Sequence, residues 1–169
     1  GTDNLAYSTM GGRNFREPAL RVTHADGDMN TELRYVSHTT RTLADTNVTR
    51  TVIKLTDTNQ ALDVELFYTA YAEENVITTH AVIRNREKGS ICLLYTSDAA
   101  DDSESFDENY GEVIAGALAW SGNFRLNFDV DEFNVLNILA GANPYASDYT
   151  LGAGESFTTP EMIYTYSSE

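Results

Sequence analysis

The sequence holds one cysteine, one tryptophan and three prolines in 169 residues, and only 11 lysines and arginines stand against 26 aspartates and glutamates. Each shortage excludes something. A lone thiol leaves no internal disulfide framework and no multi-cysteine zinc site. A formal net charge of −15 argues against nucleic acid, whose binders neutralise phosphates with Lys and Arg, and against docking on anionic membranes. Long apolar runs are missing too, so no segment reaches membrane-spanning length. Gly1-Thr2-Asp3-Asn4 has neither an initial Met nor a basic stretch leading into an apolar one, which reads as a start inside a longer reading frame. One thiol and no visible secretion signal fit a reducing, cytoplasmic setting. The Asn47-Val48-Thr49 sequon carries little weight without secretory context.

What the chain has instead is alternation. A period of two puts successive side chains on opposite faces of a sheet. Leu20, Val22 and His24 alternate with Arg21 and Thr23, and Asp26-Gly27 supplies a hairpin-type turn. Leu33 and Tyr35 flank Arg34, and Val48 to Leu55 is β-branched up to the turn-forming Asp57-Thr58-Asn59. In "ALDVELFYT", Leu62, Val64, Leu66 and Tyr68 face one way and Asp63 and Glu65 the other. "NVITTHAVIRN" is a further strand, stopped by Arg86-Glu87-Lys88-Gly89. Later, Ser121-Gly122-Asn123 separates two strands, in the second of which Phe124, Leu126, Phe128 and Val130 alternate with Arg125, Asn127 and Asp129. Val135 to Leu139 is expected as a strand broken by Gly141-Ala142-Asn143-Pro144, and Glu161 to Tyr166 as the last, with Pro160 at its start. A helical period of 3.6 wins nowhere. Many short strands without helical crossovers imply an all-β fold, an antiparallel β-sandwich.

Chemistry is harder to find. The acidic stretch from Cys92 to Asn109 lacks the alternating Asp spacing of the common calcium loop and reads better as a solvated connection. His24, His38 and His80 lie on separate strands, with nothing to prefer metal ligation over ordinary sheet positions. No nucleophile elbow marks a Ser-His-Asp triad, and no carboxylate pair stands out for glycoside chemistry. The residues by themselves call for no metal and no cofactor.

Four blocks add more than periodicity does. "GGRNFREPALRVTHADG", "TELRYVSH", "GEVIAGALAWSGNF" and "NPYASDYTLGAGESFTTPEMIYTYS" occur in that order. Together they resemble the N-terminal domain of glycoside hydrolase family 36, the bacterial α-galactosidases. That resemblance implies a β-supersandwich followed by a catalytic (β/α)8 barrel, and removal of terminal α-galactose with retention of configuration. Both catalytic carboxylates would sit on the barrel, so this chain would carry no catalytic residue. It implies packing on its own barrel, a homo-oligomer, and loop residues lent to an active-site mouth that receives the α-galactoside. Arg13, Asn14 and Arg16, around Phe15, map to that role, although relatives often carry Asp where this chain has Asn14. Arg16 and Glu17 fit a structural ion pair beside Pro18 equally well. Trp120 could stack on a sugar ring, or pack in a core or domain interface. A free-standing carbohydrate-binding module, using Trp120 and the tyrosines, is the alternative.

The resemblance fails from Cys92 and recovers near Gly111, where family members carry further strands. "CLLYTSDAADD" itself resembles a translated sequencing-adapter scar. The expected organisation is therefore 1–91 as the first part of the sandwich, 92–110 as an artefactual or disordered acidic junction, and 111–169 as the second part of the same domain. Some internal strands are expected to be missing.

Overall fold

The computed structural model describes residues 7–10, 18–43, 47–102, 112–130, 136–142 and 148–168. Twelve strands make up the regular structure there: β1 (Leu20–Thr23), β2 (Leu33–Thr42), β3 (Val48–Asp57), β4 (Leu62–Tyr71), β5 (Val76–Asn85), β6 (Ile91–Asp102), β7 (Glu112–Ala119), β8 (Phe124–Val130), β9 (Leu136–Ala142), β10 (Tyr149–Leu151), β11 (Ser156–Thr158) and β12 (Glu161–Ser168). They form two antiparallel sheets. One has the order β1-β6-β9-β8, with β10 also on β6; the other runs β2-β3-β4-β5-β12-β7, with β11 also on β5. The sheets face each other as a β-sandwich.

Alternation explains which faces meet. Leu62, Val64 and Leu66 of β4 are buried, and the ladder sets Val64 beside Ile83 and Leu66 beside Ala81 of β5. Opposite them lie Leu20 and Val22 of β1, Ile91 and Leu93 of β6, Leu139 of β9 and Leu151 of β10. Each fully buried Leu or Ile contributes about 1.5–3 kcal/mol of transfer free energy, so this one cluster dominates the favourable side of folding.

A buried amide joins the two sheets. Asn85, at the end of β5, is 1% exposed. Its Nδ2 donates to the carbonyls of Gly89 (2.9 Å), Leu151 (3.0 Å) and Gly152 (3.1 Å), while its Oδ1 accepts from the Glu87 N–H (2.9 Å). Three carbonyls share two N–H hydrogens, so at least one bond is three-centred. Its backbone bonds to Glu155 and Gly154 fasten the loop after β10 as well. Nearby, Pro160 has no N–H to offer, and the buried Thr159 compensates: its hydroxyl accepts from the Ala81 N–H at 2.8 Å, and its own N–H donates to the Ala81 carbonyl.

Three sequence expectations change. Asp26-Gly27 does form a tight turn, with Gly27 at φ 88°, but not a hairpin. β1 pairs with β6 and β2 with β3, so the turn lies on the passage from one sheet to the other. Gly141 and Ala142 do not break a strand either; they extend β9, because Arg125 and Phe124 of β8 pair with them. Finally, Ile91–Asp102 forms β6, bracketed by β1, β10 and β9, so "CLLYTSDAADD" is paired backbone rather than a free connection over that length. The rest of the junction, 103–110, lies outside the described residues. β10 and β11, three residues each, are too short for their alternation to be read.

Removing the Asn85 amide strands three carbonyls and one N–H in the interior. Asn85→Ala is expected to lower unfolding free energy by about 2–4 kcal/mol. Asn85→Asp should be at least as damaging at neutral pH, because a carboxylate cannot donate. Urea unfolding, compared at unchanged m-value, reads both.

Candidate functional site

The three histidines occupy three different environments. His24, just past β1, is buried between Glu87 and Thr31: its Nδ1 lies 2.7 Å from Glu87 Oε1 and its Nε2 2.9 Å from Thr31 Oγ1. Glu87 Oε2 also accepts from the Ala25 N–H at 2.9 Å. In outline this is a carboxylate, an imidazole and a hydroxyl in series. Thr31, however, is 0% exposed, and its carbonyl takes the Thr9 hydroxyl at 2.6 Å. A hydroxyl that no substrate reaches is no nucleophile. The trio is a clamp that fixes the crossing from β1 to β2.

His38 lies on the exposed β2, its Nδ1 2.6 Å from the Tyr35 hydroxyl. His80 belongs to the face of the larger sheet turned away from the core, where the β4–β5 ladder sets it beside Phe67. The two rings stack at 4.7 Å and 5°. Glu161 approaches His80 Nδ1 to 3.5 Å. Burial pushes the His80 imidazole below its ordinary value; Glu161 acts against that, and the Arg50 charge adds to it. Along the same face Lys54 and Arg84 bracket Glu65, at 3.3 and 3.1 Å. Burial raises the Glu65 carboxyl, but the two cations outweigh it and hold it below the usual carboxylate range. Asp63 is likewise paired, to Arg86 at 2.6 Å. These are neutralised carboxylates in an ion-pair network, not a pair poised for acid–base work.

Among the described residues no group of three or more His, Cys, Asp or Glu could hold a metal ion. Burial, helped by the Asp148 charge, raises the Cys92 thiol, which makes it a poor nucleophile. Trp120 follows β7 and is 43% exposed, outside the core of the sandwich. A Cβ at Gly122 would fall 2.7 Å from the indole Nε1, so a side chain there would displace the ring. Arg13, Asn14 and Arg16 lie outside the described residues, and with them Phe15 and the Arg16–Glu17 pairing. Of the four substrate-proximal residues expected from the sequence, the structure therefore positions Trp120 only. The His24 clamp had no sequence signal, since its partners lie 7 and 63 residues away.

A glycosyl hydrolase family 36 N-terminal domain matches residues 2–101 and 98–152. The chain belongs to that family. The family 36 domain is 26% identical to α-galactosidase AgaA of Geobacillus stearothermophilus, covering 96% of this chain and 31% of that enzyme. The crystal structure of AgaA superposes with a TM-score of 0.84 over 96% of the chain. The bifunctional α-galactosidase/sucrose kinase AgaSK of Mediterraneibacter gnavus is 24% identical, over 96% of this chain and 24% of its own. Variants of AgaA have been crystallised with stachyose and with raffinose. The chain thus spans about a third of the length of AgaA, and it matches the N-terminal domain of such enzymes. No helix among the described residues is long and apolar enough to cross a membrane.

The His80 environment sets a pH dependence. Its folded-state pKa is depressed, so well above the unfolded value of about 6.5 both states are neutral and stability is full. As pH falls below that value the unfolded chain takes up a proton that the folded chain resists, and stability drops. His80→Gln is expected to flatten this part of the stability profile between pH 7 and 5. Glu161→Gln is expected to steepen it, because the one favourable charge is gone. Denaturant midpoints across that range measure both.

Proposed function

We propose that this chain is the non-catalytic N-terminal β-sandwich of a retaining α-galactosidase, whose downstream (β/α)8 barrel hydrolyses terminal α-galactosides. The observation that carries the reading is continuity of likeness: 96% of the chain superposes on AgaA with a TM-score of 0.84 at 26% identity. Glu65 and Asp63 on the described surface are tied to Arg and Lys, which agrees with a supporting role. In the intact enzyme the domain packs on its own barrel, contributes to a homo-oligomer, and shapes access to the active site. Arg13, Asn14 and Arg16 contact the entering sugar there. Trp120, being exposed, supplies an aromatic face at the domain surface. The enzyme works in the cytoplasm, and needs no cofactor from this domain.

A free-standing carbohydrate-binding module would also use the exposed Trp120, and calorimetry separates the two. The isolated chain is expected neither to hydrolyse p-nitrophenyl α-galactoside nor to bind melibiose or raffinose measurably. In the enzyme read from the complete reading frame, Arg16→Ala is expected to raise KM several-fold with kcat nearly unchanged. Tight binding of galactosides by the 169-residue chain, lost in Trp120→Ala, would favour the module instead.

A further inference from the structure

The clamp around His24 reaches further than the crossing it fixes, because Thr31 is held at three atoms. Its Oγ1 lies 2.9 Å from His24 Nε2, its carbonyl accepts the Thr9 hydroxyl at 2.6 Å, and its N–H donates to the Met10 carbonyl at 2.7 Å. Residues 8–10 are tied to the start of β1 as well. The Ser8 carbonyl accepts the Leu20 N–H at 3.1 Å, the Ser8 hydroxyl oxygen accepts the Ala19 N–H at 3.0 Å, and Thr9 forms an isolated parallel bridge with Leu20. Ser8, Thr9, Ala19, Leu20 and Thr31 are all buried. The hydroxyls of Ser8 and Thr9 thus supply part of the bonding that a ladder supplies within a strand.

The sequence defines what this stem brackets. Met10 and Pro18 are the described residues on either side of residues 11–17, and Arg13, Asn14 and Arg16 fall in that interval. The shorter a segment between two fixed points, the fewer conformations it keeps. Both fixed points depend on Thr31 and its neighbours, and Thr31 depends on the imidazole. Glu87 sets that imidazole. Its carboxylate accepts the Nδ1–H of His24 and the N–H of Ala25, which leaves Nε2 of the neutral ring to accept from the Thr31 hydroxyl. None of this can meet a sugar directly, since His24 is 3% exposed and Thr31 0%. Any influence on a ligand runs through the stem.

Resting on the reading that Arg13, Asn14 and Arg16 contact the entering galactoside, we propose that Glu87, His24 and Thr31 are positioning residues for those contacts, acting through the buried stem of Ser8–Met10 and Ala19–Leu20. They touch no substrate. They set the affinity for the galactoside, while the chemistry on the barrel proceeds at its own rate once the sugar is bound. Glu87 follows β5, His24 follows β1 and Thr31 precedes β2, so the affinity of the site is coupled to the packing of both sheets.

The test uses the enzyme read from the complete reading frame and separates KM from kcat on p-nitrophenyl α-galactoside. Thr31→Val keeps the shape of the side chain and removes its hydroxyl. It is expected to raise KM about three- to tenfold with kcat within about twofold. Thr31→Ser restores the hydroxyl and is expected to restore KM. In an Arg16→Ala background, Thr31→Val is expected to change KM by less than about twofold, because the contact it positions is already gone. Glu87→Gln is expected to match Thr31→Val, since one amide oxygen cannot serve both His24 and Ala25, and it decides the matter where Thr31→Val does not fold. Folded variants with native KM, beside an Arg16→Ala enzyme whose KM is raised, overturn the proposal and leave the reading of Arg16 standing. An equal rise in KM in both backgrounds also overturns it, because the clamp then acts by another route. An Arg16→Ala enzyme with native KM removes the reading itself, and the proposal falls with it.

Discussion

Everything in this sandwich turns on the point where Asn85 leaves β5. Two sheets held only by apolar contact can slide, because hydrophobic burial has no direction. Asn85 supplies direction. One side chain on the larger sheet ties the carbonyls of Leu151 and Gly152 beside the smaller one, and Gly89 at the entry to β6. It lies within the same layer as Leu62, its ladder partner, and Leu62 is a fully buried member of the core. The polar network and the apolar cluster therefore specify one alignment together. Each would be weaker as a determinant alone.

The His24 clamp extends that order to the other side of the core. Glu87 is reached from Asn85 by a single turn, and its N–H is bound by the Asn85 Oδ1. Its carboxylate then grips His24 and Ala25, and His24 grips Thr31. A chain of side chains thus runs from the β5–β6 link to the β1–β2 crossing without an intervening strand. All of this lies at one end of the sandwich. At the other end, around β7 and β8, apolar side chains are open to solvent. The molecule is well determined at one end and under-covered at the other.

Much of this was legible in the alternation. Leu62, Val64 and Leu66 declared both a strand and its buried face, and the turn residues after β3 and β5 declared where strands stop. Pairing was less legible, because period two says which way a side chain points but not which sheet receives the strand. Asp26-Gly27 has the local chemistry of a hairpin, yet β1 pairs with β6 and β2 with β3, not with each other. β6 was hidden for a different reason: Asp98, Asp101 and Asp102 have low strand propensity, and only the pairing with β9 brings them into a ladder. The chemistry was legible mainly as an absence. No motif pointed to a catalytic group, and His24, His80, Glu65 and Asp63 are engaged in structural pairs.

The outward face of β8 is where sequence and structure separate most instructively. "FRLNFDV" has the pattern of a half-buried strand, and the natural reading sends its apolar side to the core. The register sends it away, because Leu139 of β9 already occupies the core side and commits Asn127 to it. Pattern and packing agree only if a second apolar layer exists on the far side of β8. Among the described residues Phe124, Leu126, Phe128 and Val130 are accordingly exposed.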